Sequence, residues 1–399
     1  MRALFSAAQG DEDAGAAARD RPERLFVAEL KLTDFRNYGK AHLSLDDRPV
    51  LLVGDNGAGK TNLLEAVSLL GAGHGLRGRP YADLVRKDAP GGFAIAARVM
   101  SRHGEVEIGT GSAPQDAGEG TGRVVRISGK EQSAGTLADY VSVIWLIPAM
   151  DGLFTGGASE RRRFLDRLVL AIDPKMRGPL GRYDRAMRQR NRLFQMREGS
   201  LALFTGLEAE MAEAAAAIAA ARLDAVARLA GLIETTRQAR GDSPFPWAVI
   251  SVEGMLENAL QIQSATEVED AYRATLDTGR ERDRAASRAL EGPHLSDLIV
   301  YHGPKQAPAP LCSSGEQKAL LIGLILAKAE LIKMLQGAPP LILLDEIAAH
   351  LDSARREALL DEILRLDTQA WMTGTDVALF APIHQDAQIL TVNQGIISS

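Results

Sequence analysis

The sequence of 399 residues has a single cysteine, Cys312, which excludes an internal disulfide framework and any metal site built only from cysteines. A reducing compartment, the cytoplasm, is the resulting expectation. No apolar run reaches eighteen residues, so we expect no membrane-spanning helix and no membrane partner. Positive charge is not in excess either. The formal net charge of −6 argues against a nucleic-acid partner unless basic residues are locally concentrated.

The first 24 residues lack the apolar middle region of a signal peptide. The acids Asp11, Glu12 and Asp13 stand where that region would lie. We therefore predict a disordered, charged tail over residues 1–24. The remaining length suits one large domain or two medium ones.

Strand-like patterns dominate the part of the chain that follows this tail. Apolar and polar residues alternate over 25–45, and strand-like runs return over 91–145. A stretch rich in Gly, Pro and acids at 113–122 predicts a flexible loop. Between the two strand-rich parts, a short apolar strand, a glycine-rich turn and a helix follow one another.

The middle of the chain is helical in pattern. From residue 159 to about 290 apolar residues recur every three or four positions, and only the segment 244–252 interrupts them. An apolar strand at 340–345, a helix at 353–366 and two strands complete the chain. We therefore predict an α/β head split by a helical insertion, with head segments at 25–152 and 291–399 and the insertion at 153–290.

A glycine-rich segment between an apolar strand and an amphipathic helix matches the phosphate-loop pattern G-x-x-x-x-G-K-[ST]. It consists of Gly54, Asp55, Asn56, Gly57, Ala58, Gly59, Lys60 and Thr61. Glycines let the backbone wrap around phosphates, and the following helix adds its positive end. We expect Lys60 to reach the β- and γ-phosphates of ATP and the Thr61 hydroxyl to bind Mg²⁺.

The apolar strand Leu341–Leu344 ends in two acids, Asp345 and Glu346. Ligands bind at the carboxyl ends of strands in parallel sheets, so Asp345 is placed to hold Mg²⁺. Glu346 is placed to accept a proton from the attacking water or to orient it. Taken alone, the pattern fits a strand followed by an acidic helix cap equally well. The phosphate loop in the same chain favours the catalytic interpretation.

A third element, Ser313-Ser314-Gly315-Glu316, precedes a long apolar helix. A serine and a tight glycine at a helix N-terminus could contact a phosphate. A capping box, in which Ser313 and Glu316 satisfy the first backbone N–H groups, explains the same residues equally well.

In order and spacing these three elements resemble the Walker A, signature and Walker B elements of ABC-type ATPases. The resemblance implies a P-loop head with a mixed sheet and an antiparallel β subdomain. It also implies an ATP-dependent homodimer, in which Ser313 and Gly315 of one subunit contact the γ-phosphate held by Lys60 of the other. His350-Leu351-Asp352 resembles the D-loop. Where many relatives carry a switch histidine there is none, and Thr375 or Asp376 is the nearest substitute.

Within that superfamily the chain is most similar to the RecF family. Family-like blocks occur in the same order at 30–38, 54–70, 161–168, 292–298 and 313–318. Two positions depart from the family pattern. Ala149 stands where an acid is usual, with Asp151 as the nearest acid, and Leu295 stands where arginine is usual.

Resemblance to RecF implies a cytoplasmic, nucleoid-associated protein of DNA repair, recombination and replication. It implies binding to double-stranded DNA near single-strand gaps during the SOS response to DNA damage. RecR and RecO are the implied partners, RecA is loaded indirectly, and slow ATP hydrolysis resets the complex.

Local charge supports a DNA partner independently. Residues 160–197 carry twelve Lys or Arg against four Asp or Glu, a local +8. Four of them recur at helical spacing and could form one stripe for a DNA backbone: Arg182, Arg185, Arg188 and Arg192. A solvated helix face with unpaired charges is the alternative.

Three other functional classes fit less well. A transporter's energy-coupling subunit would have roughly a hundred residues between phosphate loop and signature, whereas Lys60 and Ser313 lie about 250 apart. An ATP-gated nuclease of the overcoming-lysogenization type would need an acidic metal-binding domain, and only about fifty residues follow Glu346. A small-molecule P-loop kinase does not explain the serine-glycine signature.

Overall fold

The computed structural model describes residues 24–112, 122–196, 198–240, 243–347 and 351–398. The predicted tail lies outside these ranges except for Arg24, which forms ion pairs with Asp47 and Asp367. The predicted loop at 113–122 also lies outside them, apart from Gly122. Among the described helices, none combines the length and apolar character that crossing a bilayer requires.

The described strands are β1 Phe26–Phe35, β2 Tyr38–Ser44, β3 Val50–Val53, β4 Ala94–Ser101, β5 Gly104–Ser112, β6 Arg123–Ile127, β7 Lys130–Gln132, β8 Val143–Leu146, β9 Ala248–Glu253, β10 Asp297–His302, β11 Ala307–Pro308, β12 Leu341–Leu344, β13 Ala370–Gly374, β14 Gln388–Asn393 and β15 Ile396–Ser398. The described α-helices are α1 Lys60–Ser68, α2 Ala158–Ile172, α3 Arg177–Met196, α4 Leu201–Arg240, α5 Met255–Ala259, α6 Ala265–Thr278, α7 Arg280–Ala286, α8 Ser314–Gln336 and α9 Ser353–Leu366.

A six-stranded sheet in the order β15-β14-β3-β13-β12-β8 forms the centre of the head. Its strands are parallel except for β15. In β12, Ile342 and Leu344 face one core, whereas Leu341 and Leu343 face another. Since successive side chains point to opposite faces, a strand covered on both sides must be apolar throughout. That is why β12 has the continuous apolar run found in the sequence.

An antiparallel sheet covers one face of this centre. Its strand order is β2-β1-β4-β5-β6-β7, and it shares a core with α1 and one face of the central sheet. The strand-like patterns at 25–45 and 91–145 predict β1, β2, β4, β5 and β6 but give no signal for β7, whose three residues are all exposed. Without an apolar face, β7 carries no periodic signal.

Helices and a small third sheet, β11-β10-β9, cover the other face of the central sheet. The core on this side takes in α2, α8, α9 and the C-terminal half of α4, whose Ala225, Val226 and Leu229 are buried there. A separate core joins α3, the N-terminal half of α4 and α6.

The predicted insertion at 153–290 therefore contributes to two cores. Its strand β9 pairs with β10 of the C-terminal head segment, and its helix α2 packs Phe164 and Leu168 against the central layer. The long helix α4 contributes residues to both cores. The boundaries at residues 152 and 290 remain a proposal.

Gln369, just before β13, ties the two large sheets together. Its side chain is 1% exposed. The amide oxygen accepts hydrogen bonds from the Val27 backbone N–H at 2.9 Å and from Trp371 Nε1 at 3.1 Å. The amide nitrogen donates to the carbonyls of Val27 at 3.1 Å and Asp46 at 2.7 Å. All four hydrogen-bonding positions of this amide are thus used.

We predict that Gln369→Leu lowers the free energy of unfolding by about 3 kcal/mol, because it leaves several buried backbone groups unpaired. Denaturant titration followed by circular dichroism measures the change. Gln388→Leu is the matched control. The Gln388 amide also bonds Asp46 and Arg48 but at the exposed edge, so its loss should cost about 1 kcal/mol or less. Equal losses for the two variants would contradict the role of Gln369.

Candidate nucleotide site

The glycine-rich phosphate loop runs from the end of β3 into α1. At two of its positions a side chain would collide with neighbouring atoms. Gly59, the N-cap of α1, has φ +118°, and a Cβ there would lie 2.4 Å from Asn37 Nδ2. Gly54 has φ +154°, and a Cβ there would lie 2.1 Å from the Val392 carbonyl oxygen. Both positions therefore require glycine. The intervening Asn56 and Gly57 form an exposed tip.

The Lys60 ammonium lies inside the curve of this loop. Its side chain is 5% exposed, and Nζ donates hydrogen bonds to the carbonyls of Gly54 at 2.5 Å and Asp55 at 2.8 Å. Burial lowers the pKa of Lys60, and the carboxylates of Glu346 and Asp345 oppose that shift. A cation at the N-terminal end of α1 gives this curve the charge and donors that an anion requires.

The Asp345 carboxylate is the centre of a hydroxyl–carboxylate cluster. Thr61 Oγ1 donates to its two oxygens at 2.9 and 3.1 Å, and Thr373 Oγ1 donates to Oδ1 at 2.9 Å. The cluster joins the start of α1 to the ends of β12 and β13, as expected where parallel strands present their carboxyl ends. From the sequence, both Thr61 and Asp345 were expected to bind Mg²⁺, whereas no role was predicted for Thr373.

Glu346 follows in a left-handed conformation, with φ +54°. The Thr373 hydroxyl accepts a hydrogen bond from its backbone N–H at 2.8 Å. Thr373 therefore fixes the orientation of the peptide that separates Asp345 from Glu346. Among the described residues, none forms a hydrogen bond or an ion pair with the Glu346 carboxylate, which is only partly buried.

The turn between β1 and β2 supports the phosphate loop from outside. Asn37 Nδ2 donates to the Ala58 carbonyl at 3.2 Å, and the Tyr38 hydroxyl donates to the Gly59 carbonyl at 3.0 Å. Burial raises the pKa of Tyr38, so this phenol stays a neutral donor. The only sequence signal for these two residues was their place at the end of the block 30–38.

Among the described residues, no hydrogen bond or ion pair joins the signature segment to this cluster. Ser313 is the N-cap of α8, and its backbone N–H donates to Glu316 at 3.0 Å, as in a capping box. Lys305 Nζ lies 2.5 Å from Glu316, and this hydrogen bond lowers the pKa of Glu316 to about 2. Ser313 and Gly315 are exposed. The helix-cap explanation thus accounts for Glu316 but leaves the serine-glycine surface open to a second molecule.

Ala149 and Leu295, which depart from the family pattern, are both exposed. Asp151, the acid nearest to Ala149 in the sequence, pairs through Oδ2 with Lys318 at 3.2 Å. His350 lies outside the described residues. Asp352 caps α9 through the Arg355 backbone N–H at 2.9 Å, and Asp376 accepts from the Ala378 N–H at 2.9 Å.

The predicted arginine stripe lies on α3 but is partly neutralised. Arg185, Arg188 and Arg192 are exposed, and Arg182 is half-buried. Arg182 pairs with Glu213 at 3.1 Å and Arg188 with Asp184 at 2.5 Å. Within the described part of the chain, no ion pair engages Arg185 or Arg192.

The local charge of +8 overstates what this region presents to solvent. Arg190, counted in that total, is completely buried between Glu208 and Asp283. Arg161 is likewise held by Asp297 at 2.7 Å. A sequence count cannot separate such internal pairs from surface charge.

Comparison with known proteins agrees with this architecture. The sequence family RecF/RecN/SMC N terminal domain matches residues 26–398. A DNA replication and repair protein RecF from Rhizobium rhizogenes (strain K84) is 52% identical over 375 residues, covering 94% of this chain and 98% of that protein. The RecF of Brucella suis biovar 1 (strain 1330) is 51% identical, with coverages of 94% and 96%.

Solved structures share the fold. The recombination mediator protein RecF with ATPrS, from the RecFOR pathway, superimposes with a TM-score of 0.81 at 21% identity, covering 94% of this chain and 98% of that one. An Smc head bound to the C-terminal winged-helix domain of ScpA gives a TM-score of 0.54 at 15% identity, with coverages of 94% and 96%. The predicted ABC-type head, a mixed sheet with an antiparallel β subdomain and inserted helices, is confirmed.

We predict that Thr373→Val, which keeps the shape of the side chain, lowers the free energy of unfolding by about 2 kcal/mol, because Asp345 loses a buried donor. It should also release the Glu346 backbone N–H. Thermal unfolding and backbone amide exchange at residue 346 measure the two effects.

Thr375→Val is the control, since Thr375 is exposed two residues further along. This variant should unfold within about 0.5 kcal/mol of the parent. If Thr373→Val and Thr375→Val were indistinguishable in both measurements, the bridging role of Thr373 would be wrong.

Proposed function

The chain belongs to the RecF family of DNA replication and repair proteins, and from that premise we propose that it is an ATP-dependent DNA-binding ATPase of recombinational repair. One observation carries the proposal. The Thr61 hydroxyl and the Asp345 carboxylate, 2.9 Å apart, stand beside the Lys60 ammonium in a phosphate loop. Hydroxyl, carboxylate and ammonium are the groups that bind a metal-nucleotide complex.

ATP is the proposed nucleotide. Backbone N–H groups of residues 54–61 and the Lys60 ammonium bind its phosphates, and the start of α1 adds its positive end. Solved RecF structures containing ATP support this assignment.

Mg²⁺ is the proposed metal ion. The oxygen atoms of Thr61 and Asp345 suit an ion that prefers oxygen ligands, and they leave positions for phosphate oxygens. Bound there, the ion would neutralise charge on the phosphates.

Glu346 is the proposed general base. Its carboxylate makes no hydrogen bond or ion pair within the described residues, whereas Asp345 accepts hydrogen bonds from two threonines. A free carboxylate beside the phosphate loop can orient a water and accept its proton. Asp345, fixed by its donors, is suited to metal binding instead. We propose slow hydrolysis as the step that resets the protein.

Two subunits are proposed to form one composite site. Ser313 and Gly315 are exposed at the start of α8, and within the described residues no hydrogen bond joins them to the Lys60–Asp345 cluster of their own chain. The γ-phosphate of ATP bound to a second subunit would be a ligand for this exposed start of α8. ATP would then act as the bond between the two heads.

The proposed DNA target is a duplex next to a single-strand gap. Arg185 and Arg192 are exposed on α3 without ion pairs in the described part of the chain, and Arg182 and Arg188 add to the same field. Phosphate contacts of this kind need no base readout. We propose RecR and RecO as partners and RecA loading as the outcome. The RecFOR pathway named for a solved relative supports this.

We predict that Glu346→Gln binds ATP normally but hydrolyses it about 100-fold more slowly, since the amide keeps its size but loses its basicity. Its ATP-bound dimer should therefore persist. Asp345→Asn should weaken ATP binding itself. Nucleotide binding, ATP turnover and molecular mass by light scattering are measured on the same preparations.

Ser313→Arg is the matched variant for the composite site. It should bind ATP and remain monomeric, because the exposed signature no longer accepts a partner's phosphate. Parental hydrolysis in Glu346→Gln would assign water activation to another group. An unchanged ATP-dependent dimer in Ser313→Arg would leave Ser313 as a helix cap only.

We predict that the double variant Arg185→Gln/Arg192→Gln weakens binding to all duplex sequences alike and reduces the salt slope of affinity by about 2, since two phosphate contacts are lost. Fluorescence anisotropy over a salt series measures the slope. The control, Arg126→Gln/Lys130→Gln, removes the same charge from the exposed β6–β7 hairpin. If only the control changed the slope, the DNA footprint would lie on the head and not on α3.

A further inference from the structure

A cleft of about 1090 Å³ runs along the free edge of β8. Residues 71–80, which follow α1, line it on one side, and α2 and α8 line it on the other. Its volume is that of a site for a nucleotide-sized ligand. The nucleotide site described above lies elsewhere, because β8 is three strands away from β3 in the central sheet. The two sites are also at opposite ends of α1, with Lys60 at its start and Ser68 at its end.

Basic side chains dominate the walls of this cleft. Its lining contains one carboxylate, Glu160, and six basic side chains, namely Arg77, Arg79, Arg163, Arg167, Arg177 and Lys328. Some of these cations already have partners. Arg163 pairs with Glu160 at 2.5 Å, Arg177 donates to the Ala72 carbonyl at 2.6 Å, and Arg77 lies 3.7 Å from Glu65.

Lys328 has no such partner among the described residues, and Arg167 has only the electrostatic attraction of Glu160 and Asp166 to oppose its burial. Lys328 is 4% exposed, and within the described residues its ammonium makes no hydrogen bond or ion pair. Its Nζ lies 5.5 Å from the centre of the Phe164 ring, and the Arg167 guanidinium lies 5.5 Å from that of Trp145. Burial, with the repulsion of Arg167, lowers the pKa of Lys328 to about 7. A buried cation without a counter-charge is costly, and a bound anion removes that cost.

The cleft also has an apolar part. Phe164, Ile325 and the half-buried Trp145 line it beside the two cations. A ligand with a phosphate at one end and an aromatic base at the other matches this division, since the base would occupy the apolar wall.

We propose that this cleft is a second phosphate-binding site, which takes a nucleoside phosphate with its phosphates against Lys328 and Arg167. The phosphate comes either from a free nucleotide or from a nucleic-acid strand. In both cases the ligand supplies the negative charge that the protein lacks there. The site does not depend on hydrolysis at Lys60.

The test uses the full-length chain with Lys60→Ala, so that the phosphate loop no longer dominates binding. Isothermal titration with inorganic pyrophosphate, ADP and a short single-stranded oligonucleotide measures what remains. We expect saturable binding of pyrophosphate and ADP. Lys328→Met and Arg167→Gln, each added to this background, should weaken it about tenfold or more. Lys130→Met removes a lysine from an exposed hairpin and should leave it unchanged.

Thermal unfolding separates a binding role from a structural one. Without ligand, Lys328→Met should be at least as stable as its parent, because a buried unpaired cation is removed. Pyrophosphate should raise the melting temperature of the parent and not that of Lys328→Met. An oligonucleotide that competes with pyrophosphate and needs Lys328 would identify a strand as the source; binding of pyrophosphate and ADP alone would identify a free nucleotide.

Two results would overturn the proposal. One is the absence of saturable binding by all three probes in the Lys60→Ala protein. The other is binding that Lys328→Met and Arg167→Gln leave at the level of Lys130→Met. Because the readouts are binding and stability, a failure here leaves the hydrolysis proposed at Glu346 untouched.

Discussion

The site depends on the hydrogen bonds that the Asp345 carboxylate accepts. This carboxylate accepts hydrogen bonds from Thr61 at the start of α1 and from Thr373 at the end of β13, and Thr373 in turn holds the Glu346 backbone. Hydrogen bonds to a charged group are each worth about 1.5–3 kcal/mol. The cluster is therefore strong enough to fix the relative positions of the start of α1 and the ends of β12 and β13. It also places one carboxylate for a metal ion while leaving the next free.

That cluster can form only because the central sheet is covered on both faces. The antiparallel sheet and α1 lie on one side, and α2, α8 and α9 lie on the other. Such a sheet excludes water from its two faces, and ligands bind beyond the carboxyl ends of its strands. Polar groups at those ends are therefore concentrated at one edge. Gln369 serves the same layered arrangement away from the site, since its single amide, just before β13 of the central sheet, satisfies backbone groups of β1 and of the turn after β2.

Charge in this molecule is distributed by burial and not by sequence position. Arg190 and Arg161 are neutralised by acids far away in the chain, whereas Lys328 is buried and has no acid as a partner in the described part of the chain. A buried cation with a paired carboxylate stabilises local structure, and one without a carboxylate calls for an anion from outside. The arginine-rich region thus contributes internal ion pairs, two exposed arginines on α3 (Arg185 and Arg192) and part of the wall of the cleft along β8.

The sequence by itself determined the features that depend on local pattern. The phosphate loop, the acids after β12 and the helix Ser353–Leu366 all follow from spacing and apolar periodicity, because each is set by residues close together in the chain. Only the tertiary structure revealed Thr373 as the bridge between Asp345 and Glu346, and Asn37 and Tyr38 as supports of the loop. It alone showed which arginines are buried and which are exposed. It also showed that Lys328 is buried without an acidic partner among the described residues. Those properties depend on which distant segments meet, and the alternation of residues along one segment carries no information about its partners.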